Sequence, residues 1–482
     1  MINIKNIYFG ISFFATALVY GQTSFQAASY PQMGDNQAVY KEPERKILTV
    51  KEQIDQIAAD LTSDPVLRNA SWGFAIYDPK TKKVITSYNE NSSFIPASTT
   101  KLLTTDTAMS LLGPRFVWAT QMEYSGQIDE NGVLNGNLYI VGSGDPSLGT
   151  GKAGASNYSG IIADFKSALT EKGIKKIAGD IIIQTAVFKE NKRAELPQNI
   201  VWLESGSYYL PVGSTLEVNP RNEQLNARRS SPFEEKKRYF YISPYIKKMV
   251  FAEKFDGNTV STKIPDAPAY LANNLRANLV KSGIGVSGKV VSKLLDPEPE
   301  KRTFITSYKS PELKDIVHDT NQRSDNALAE ALLRMVGFQK DGDQTLETGR
   351  AVIREHLEAI QFDTNGLSIA DGSGLSRSNM VTPIAQVKFL TDLMSTSYFK
   401  DYFDSLPIGG QSGTLKRSFM GNGYGQIFAK TGTLNKVKTL AGYIKTRTGK
   451  TLPFSLMINN YAGSVDQVKV RMEKILDPAV DL

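Results

Sequence analysis

The sequence predicts an α/β fold of the α+β kind, with one sheet assembled from distant parts of the chain around a β-rich insertion. Three observations carry this. Strand patterns stand towards both ends, at residues 72–88 and 426–459. Long helical patterns occupy much of 313–360, and residues 119–299 hold short β-rich segments cut by Gly, Asn and Pro. With 482 residues, 41% hydrophobic and 22% charged, the chain has the composition of an ordinary globular protein and can bury a sizeable core.

The elements follow in order. Lys5 is the only early charge before an apolar run from Ile7 to Val19 and then Gly21. That run is too short for a comfortable membrane span and reads as an export signal over residues 1–21. Cleavage would release an exported protein into the periplasm or another extracytoplasmic envelope space, with no integral membrane segment left. Residues 22–46 read as a polar, irregular leader. Apolar residues at Ile47, Val50, Ile54, Ile57 and Leu61 have helical spacing. Trp72 to Tyr77 and Lys83 to Tyr88 read as strands joined by the turn Asp78-Pro79-Lys80-Thr81, and a helical run beginning near Ser98 is stopped by Gly113-Pro114. Residues 136–141 and 179–183 are strand-like, and 270–281 helix-like. Beyond residue 301 come helices at 313–317, 326–336 and 345–360. Strands follow at 426–430, 440–445 and 452–459, then an amphipathic helix at 465–476. This divides the chain into one domain made of 47–118 and 300–482, with 119–299 inserted.

Composition excludes several chemistries. The absence of cysteine removes thiol nucleophiles, disulfides, thiolate metal sites and a lipid anchor after the signal. Only His318 and His356 could serve a Ser-His-Asp triad. Both fall in helical patterns without a second histidine at metal-ligand spacing, so no metal is expected. The net charge is +7, but clusters such as Lys236-Lys237-Arg238 lack interleaved aromatics, so no nucleic-acid partner is expected.

Ser98-Thr99-Thr100-Lys101 can place a hydroxyl and an amine on one helix face, since residues three apart are neighbours. Serine is a poor nucleophile until a base takes its proton, and lysine can be that base only when neutral. Two further patterns follow: Ser324-Asp325-Asn326 before a helical run, and Lys430-Thr431-Gly432-Thr433 on a strand. Each alone is weak, because Ser397-Tyr398-Phe399-Lys400, Ser87-Tyr88-Asn89 and Lys281-Ser282-Gly283 fit the same patterns. Order and context set the first three apart.

The trio resembles that of serine β-lactamases and penicillin-binding proteins. The long gap between Lys101 and Ser324, with Gly144-Asp145-Pro146-Ser147-Leu148, Asp371-Gly372-Ser373-Gly374-Leu375-Ser376-Arg377 and Leu406-Pro407-Ile408-Gly409-Gly410, resembles one group among them. These are the class C low-molecular-weight penicillin-binding proteins, the D-alanyl-D-alanine carboxypeptidase/endopeptidase family S13. The resemblance implies a serine β-lactamase/DD-peptidase-like three-layer domain, an antiparallel sheet with helices, carrying inserted β-rich domains. It implies a serine-type D-Ala-D-Ala carboxypeptidase, with DD-endopeptidase action as an accompanying possibility, working on peptidoglycan stem peptides in cell-wall remodelling. β-Lactams would be covalent inhibitors, and no cofactor is implied.

By the same resemblance Ser98 is the nucleophile and Lys101 takes its proton. Ser324 and Lys430 carry the proton to the leaving amine, and Asn326 holds the substrate amide or the Lys101 amine. Thr431, Gly432 and Thr433 bind substrate, and the backbone amides of Ser98 and Thr433 stabilise the oxyanion. Two converging ammonium groups disfavour each other, which suits a neutral Lys101 and a charged Lys430. One departure concerns Gln184, where the family often has an aspartate; it leaves the preferred third residue of the stem peptide open. A β-lactamase, a transpeptidase and a silent wall-binding scaffold remain alternatives, the last disfavoured by five intact catalytic positions.

Overall fold

The computed structural model describes residues 47–185, 267–294, 299–343 and 345–482, with short strand segments between 200 and 261. The expected signal and leader lie outside the described residues. Helix α1 (Val50–Leu61) opens on a capping box: the Thr49 hydroxyl accepts from the Glu52 amide while the Glu52 carboxylate takes the Thr49 N–H. Strands β1 (Ser71–Asp78) and β2 (Lys83–Tyr88) pair antiparallel. A 3-10 turn, Ala97–Thr100, then runs into α2 (Lys101–Leu112). Residues 101–109 of α2 are all buried, and its polar side chains are bonded rather than solvated: Thr104 donates to the Gly372 carbonyl and Thr107 to that of Leu103, both at 2.8 Å. A helix buried all round has no apolar stripe to betray it.

The middle of the chain builds a second sheet. Strands β3 (Ala119–Tyr124) and β4 (Leu138–Val141) precede α3 (Tyr158–Glu171) and β5 (Ile181–Thr185). Helix α4 (Ala267–Lys281), β6 (Val290–Leu294) and β7 (Thr303–Lys309) complete it, in the order β6-β5-β4-β3-β7. Pairs β4–β5 and β5–β6 are parallel, the others antiparallel. Helices α3 and α4 bury Ile161, Phe165, Leu271 and Leu275 against Ile140 and Ile183 of this sheet. Reading the sequence as short β segments overlooked α3. Strand β7 pairs with β3, so the chain stays in this sheet as far as Lys309.

The return leg supplies α5 (Leu313–Arg323), α6 (Asn326–Asp341), α7 (Leu346–Ala359), α8 (Pro383–Leu393) and α9 (Phe399–Asp404). Then come β8 (Ile427–Leu434), β9 (Val437–Lys445), β10 (Thr451–Asn459) and α10 (Val465–Leu476). The main sheet is antiparallel with the order β8-β9-β10-β1-β2, joining strands from both ends of the chain as expected. Side chains alternate across it. Ile444, Phe454 and Leu456 pack on one face with Ile54 of α1 and Met472 and Ile475 of α10. Ala441, Tyr443 and Met457 pack on the other with Leu102, Leu332, Val352 and Leu390 of the helical layer. The result is three layers, with α2 in the middle of the helical one.

Candidate active site

The segment before Ser98 is pinned by the far end of the chain. Asn459 of β10 accepts from the Ile95 N–H at 2.8 Å and donates to its carbonyl at 3.2 Å, while Thr439 of β9 donates to the Pro96 carbonyl at 2.6 Å. Ala97 then takes φ +47°, a left-handed conformation that costs a residue with a Cβ about 1–2 kcal/mol. In the 3-10 turn that follows, residues i and i+3 eclipse. Lys101 Nζ accordingly lies 3.0 Å from Ser98 Oγ.

Lys101 is fully buried, and its Nζ also lies 2.6 Å from Asn326 Oδ1 and 2.6 Å from the Ser373 carbonyl oxygen. Both oxygens can only accept. A neutral amine has two N–H bonds and one lone pair, so satisfying both acceptors turns the lone pair to the Ser98 hydroxyl. That is the arrangement of a base awaiting a proton.

Ser324-Asp325-Asn326 forms the corner between α5 and α6. Ser324 ends α5 in the left-handed region at φ +56°, and Asp325 caps α6 by accepting from the Leu328 N–H at 3.0 Å. Asp325 also pairs with Lys152 of the inserted region. Across the cleft, Lys430 Nζ donates to Ser324 Oγ and to the Thr431 carbonyl, each at 2.7 Å. Thr431 donates to the Thr414 hydroxyl at 2.7 Å.

Two glycines bring the walls together. A Cβ at Gly432 would stand 2.7 Å from the Pro96 carbonyl oxygen and 3.0 Å from the Ala97 Cβ. At Gly374, with φ +80°, it would stand 1.9 Å from the Ala97 carbonyl oxygen. Asp371 organises the loop around Gly374, accepting from the Gly374 and Ser376 amides at 2.7 and 2.6 Å and from Asn379 Nδ2 at 2.9 Å. Glu330 of α6 accepts from the Ser373 hydroxyl at 2.6 Å and from its N–H at 3.2 Å, so the Ser373 carbonyl is free for Lys101.

Burial pushes the Lys101 ammonium down to about 8, against the opposing pull of Glu330, Asp371 and Asp325. Lys430 is also fully buried, and burial, followed by the like charges of Lys101 and Lys438, pushes it well below the ordinary lysine range. Burial thus favours loss of a proton at both lysines. A substrate carboxylate beside Lys430 would restore its charge.

The remaining candidates have structural partners. His356 Nε2 lies 2.8 Å from Asp106 Oδ2, and Tyr398 donates to Asp106 Oδ1 at 2.8 Å. Asp145 accepts from the Ser147 amide and hydroxyl at 2.7 Å each, within its turn. Gln184 accepts from Arg302 Nη1 at 2.7 Å inside the second sheet.

A family model described as D-Ala-D-Ala carboxypeptidase 3 (S13) matches residues 51–229 and 248–477. The chain belongs to the S13 family. Among its relatives is the D-alanyl-D-alanine carboxypeptidase DacB of Haemophilus influenzae, 26% identical over 428 residues that cover 81% of this chain and 85% of that protein. Another is the D-alanyl-D-alanine carboxypeptidase of an Actinomadura species, 25% identical over 471 residues, covering 89% and 85%. The fold is that of penicillin binding protein 4 from Haemophilus influenzae, solved with a β-lactam: TM-score 0.64 at 23% identity, over 88% of this chain and 99% of that one. A predatory peptidoglycan endopeptidase from Bdellovibrio bacteriovorus follows, with TM-score 0.50 at 18% identity, over 84% and 92%.

Within this S13 cleft, sequence reasoning missed Glu330, the Ser373 carbonyl, Thr414 and Lys438. Glu330 had a signal: it stands one helical turn after Asn326, on the same face. The others depend on backbone placement and cross-strand register, which no spacing reveals.

Proposed function

We propose that this chain is a serine-type D-Ala-D-Ala carboxypeptidase, with DD-endopeptidase action, that cleaves peptidoglycan stem peptides through a Ser98 acyl-enzyme. The observation that carries the reading is the meeting of three remote motifs, with Lys101 Nζ 3.0 Å from Ser98 Oγ and 2.6 Å from Asn326, and Lys430 Nζ 2.7 Å from Ser324. Ser98 Oγ attacks the carbonyl carbon of the D-Ala-D-Ala bond as its proton passes to the Lys101 amine. The tetrahedral oxyanion rests on the backbone amides of Ser98 and Thr433, donors of a kind that contribute about 3–4 kcal/mol each. The C–N bond breaks, the leaving amine takes a proton through Ser324 and Lys430, and D-alanine departs. Water then attacks the ester and returns Ser98 to its starting state.

The burial of Lys430 gives the substrate a part in this. Its terminal carboxylate, bound beside Lys430, Thr431, Gly432 and Thr433, supplies the counter-charge that the strand wall lacks. A recharged Lys430 in turn disfavours an ammonium at Lys101, so binding prepares the base. We assign residues 47–118 and 310–482 to the catalytic domain and 119–309 to the insertion, because β7 carries the inserted sheet past the boundary at 299/300 that the sequence predicts, with an exported, envelope location. The apolar run after Lys5 supports export, and a β-lactam as covalent inhibitor is supported by the penicillin-binding structural relative.

The test is hydrolysis of a D-Ala-D-Ala peptide and of purified peptidoglycan, with fragments identified by mass spectrometry, together with labelling by a fluorescent penicillin. Release of D-alanine and a label lost in Ser98→Ala are expected. Rapid turnover of penicillin without lasting label would favour a β-lactamase instead.

A further inference from the structure

Beneath the motif strand lies a third lysine that the mechanism above does not use. Lys438 of β9 stands directly opposite Thr433 in the β8–β9 register, is only 6% exposed, and brings its Nζ to 2.7 Å from Thr433 Oγ1. Thr433 itself is exposed on the edge strand. Lys438, Thr431, Thr414, Lys469 and Glu473 line one small cleft beside that strand. The acidic groups there have other attachments. Asp466 is held by Lys469 at 3.1 Å, and Glu473 accepts from the Phe419 N–H at 3.0 Å, its carboxyl pushed up by burial. A buried cation among hydroxyls is thus left with a hydroxyl as its partner.

The geometry fixes which way that hydroxyl points. An ammonium has donors and no acceptor, so Thr433 Oγ1 must accept from Lys438. The hydroxyl's own hydrogen is then turned away from Lys438, towards the open edge of the sheet. We propose that Lys438 is a positioning residue that holds the Thr433 hydroxyl as a donor to the substrate's free terminal carboxylate, and so biases the cleft towards chains that end in one. The inference rests on the function proposed above. A neutral side chain at position 438 would leave the Thr433 hydrogen free to turn either way and would remove a positive charge from beneath the carboxylate.

The experiment compares kcat/KM for a peptide ending in D-Ala-D-Ala with kcat/KM for the same peptide carrying a terminal amide, in the full-length protein and in Lys438→Met, Thr433→Val and the double variant. Lys438→Met is expected to lower the value for the carboxylate peptide by about ten- to a hundredfold, the size of one charge-assisted hydrogen bond, chiefly through KM, and to change the amide by less than about twofold. Thr433→Val follows the same pattern, and the double variant is no worse than the more severe single one. Equal losses on both peptides, or an unchanged ratio, overturn the proposal.

A pH profile of the unaltered protein beside the charge-preserving Lys438→Arg decides the matter if Lys438→Met does not fold. Burial and Lys469 push Lys438 down to about 8, against the pull of Asp466. The carboxylate-to-amide ratio should therefore fall as pH rises through about 8, and that fall should disappear in Lys438→Arg, whose guanidinium stays charged, while Lys101 and Lys430, present in both proteins, cancel in the comparison; a fall that Lys438→Arg leaves in place overturns the proposal. A ratio that stays flat overturns the proposal. If the unaltered protein cleaves neither peptide, the proposed function falls and takes this inference with it. If it cleaves both and the ratio ignores position 438 and pH, only the role of Lys438 falls.

Discussion

On the helical wall of the cleft, Lys101 is buried within the influence of Glu330, Asp371 and Asp325. On the strand wall, Lys430 and Lys438 are buried beside hydroxyls and carbonyls, and among the described residues burial and the like charges of Lys101 and Lys438 dominate at Lys430. The first wall compensates its own charge. The second is a set of donors and suppressed cations that an anion would complete. In the proposed reaction the difference supports a proton acceptor on the helical wall and an anion-binding strand wall, whose Lys430 also serves the leaving amine.

Four experiments break or sharpen that contrast. Ser98→Ala should abolish penicillin labelling and cut peptide hydrolysis by at least about 10⁴-fold, measured by steady-state kinetics. Residual hydrolysis near the native rate would move the nucleophile elsewhere. Gly374→Ala forces a Cβ onto the Ala97 carbonyl at a left-handed φ, so it should lower unfolding free energy by about 2–4 kcal/mol in denaturant titrations. It should also displace the Ser373 carbonyl and thereby the base.

Glu330→Gln keeps an acceptor for Ser373 and removes one charge near Lys101. The kcat/KM profile should rise with pH as Lys101 loses its proton near 8. Removing the negative charge makes the ammonium less favourable, so this acid limb should move to lower pH. An immobile limb would detach Glu330 from the base. Lys152→Met, which breaks a partly exposed pair with Asp325, should cost only about 0.5–1 kcal/mol of stability by thermal melting.

Much of this was legible in the residues. The strands near Trp72 and Leu452 read as short, largely apolar runs bounded by turn residues, because both faces of the main sheet are covered by helices. The helix 465–476 shows its stripe because only one side is buried. The corner at Ser324-Asp325-Asn326 announced itself through a capping residue before an apolar run. By contrast α8 went unread: Pro383 at its start resembles a break, and most of its residues are buried, so it lacks a polar face. The carboxylates that oppose the burial of Lys101 were unreadable for a related reason. Glu330 and Asp371 reach Lys101 from elements far apart in sequence, and no local pattern places them.

The arrangement of the main sheet has a consequence for how activity first arises. Strand β10 is the last made, yet it sits between β9 and β1, and its Asn459 clasps the residue three places before the nucleophile. A nascent chain carries its alcohol and first amine long before the strand that seats them has been synthesised. Pairings of such long sequence separation form late. The segment before Ser98 is therefore unseated through most of synthesis, and the proposed nucleophile becomes able to accept an acyl group only once β10 has paired with β1.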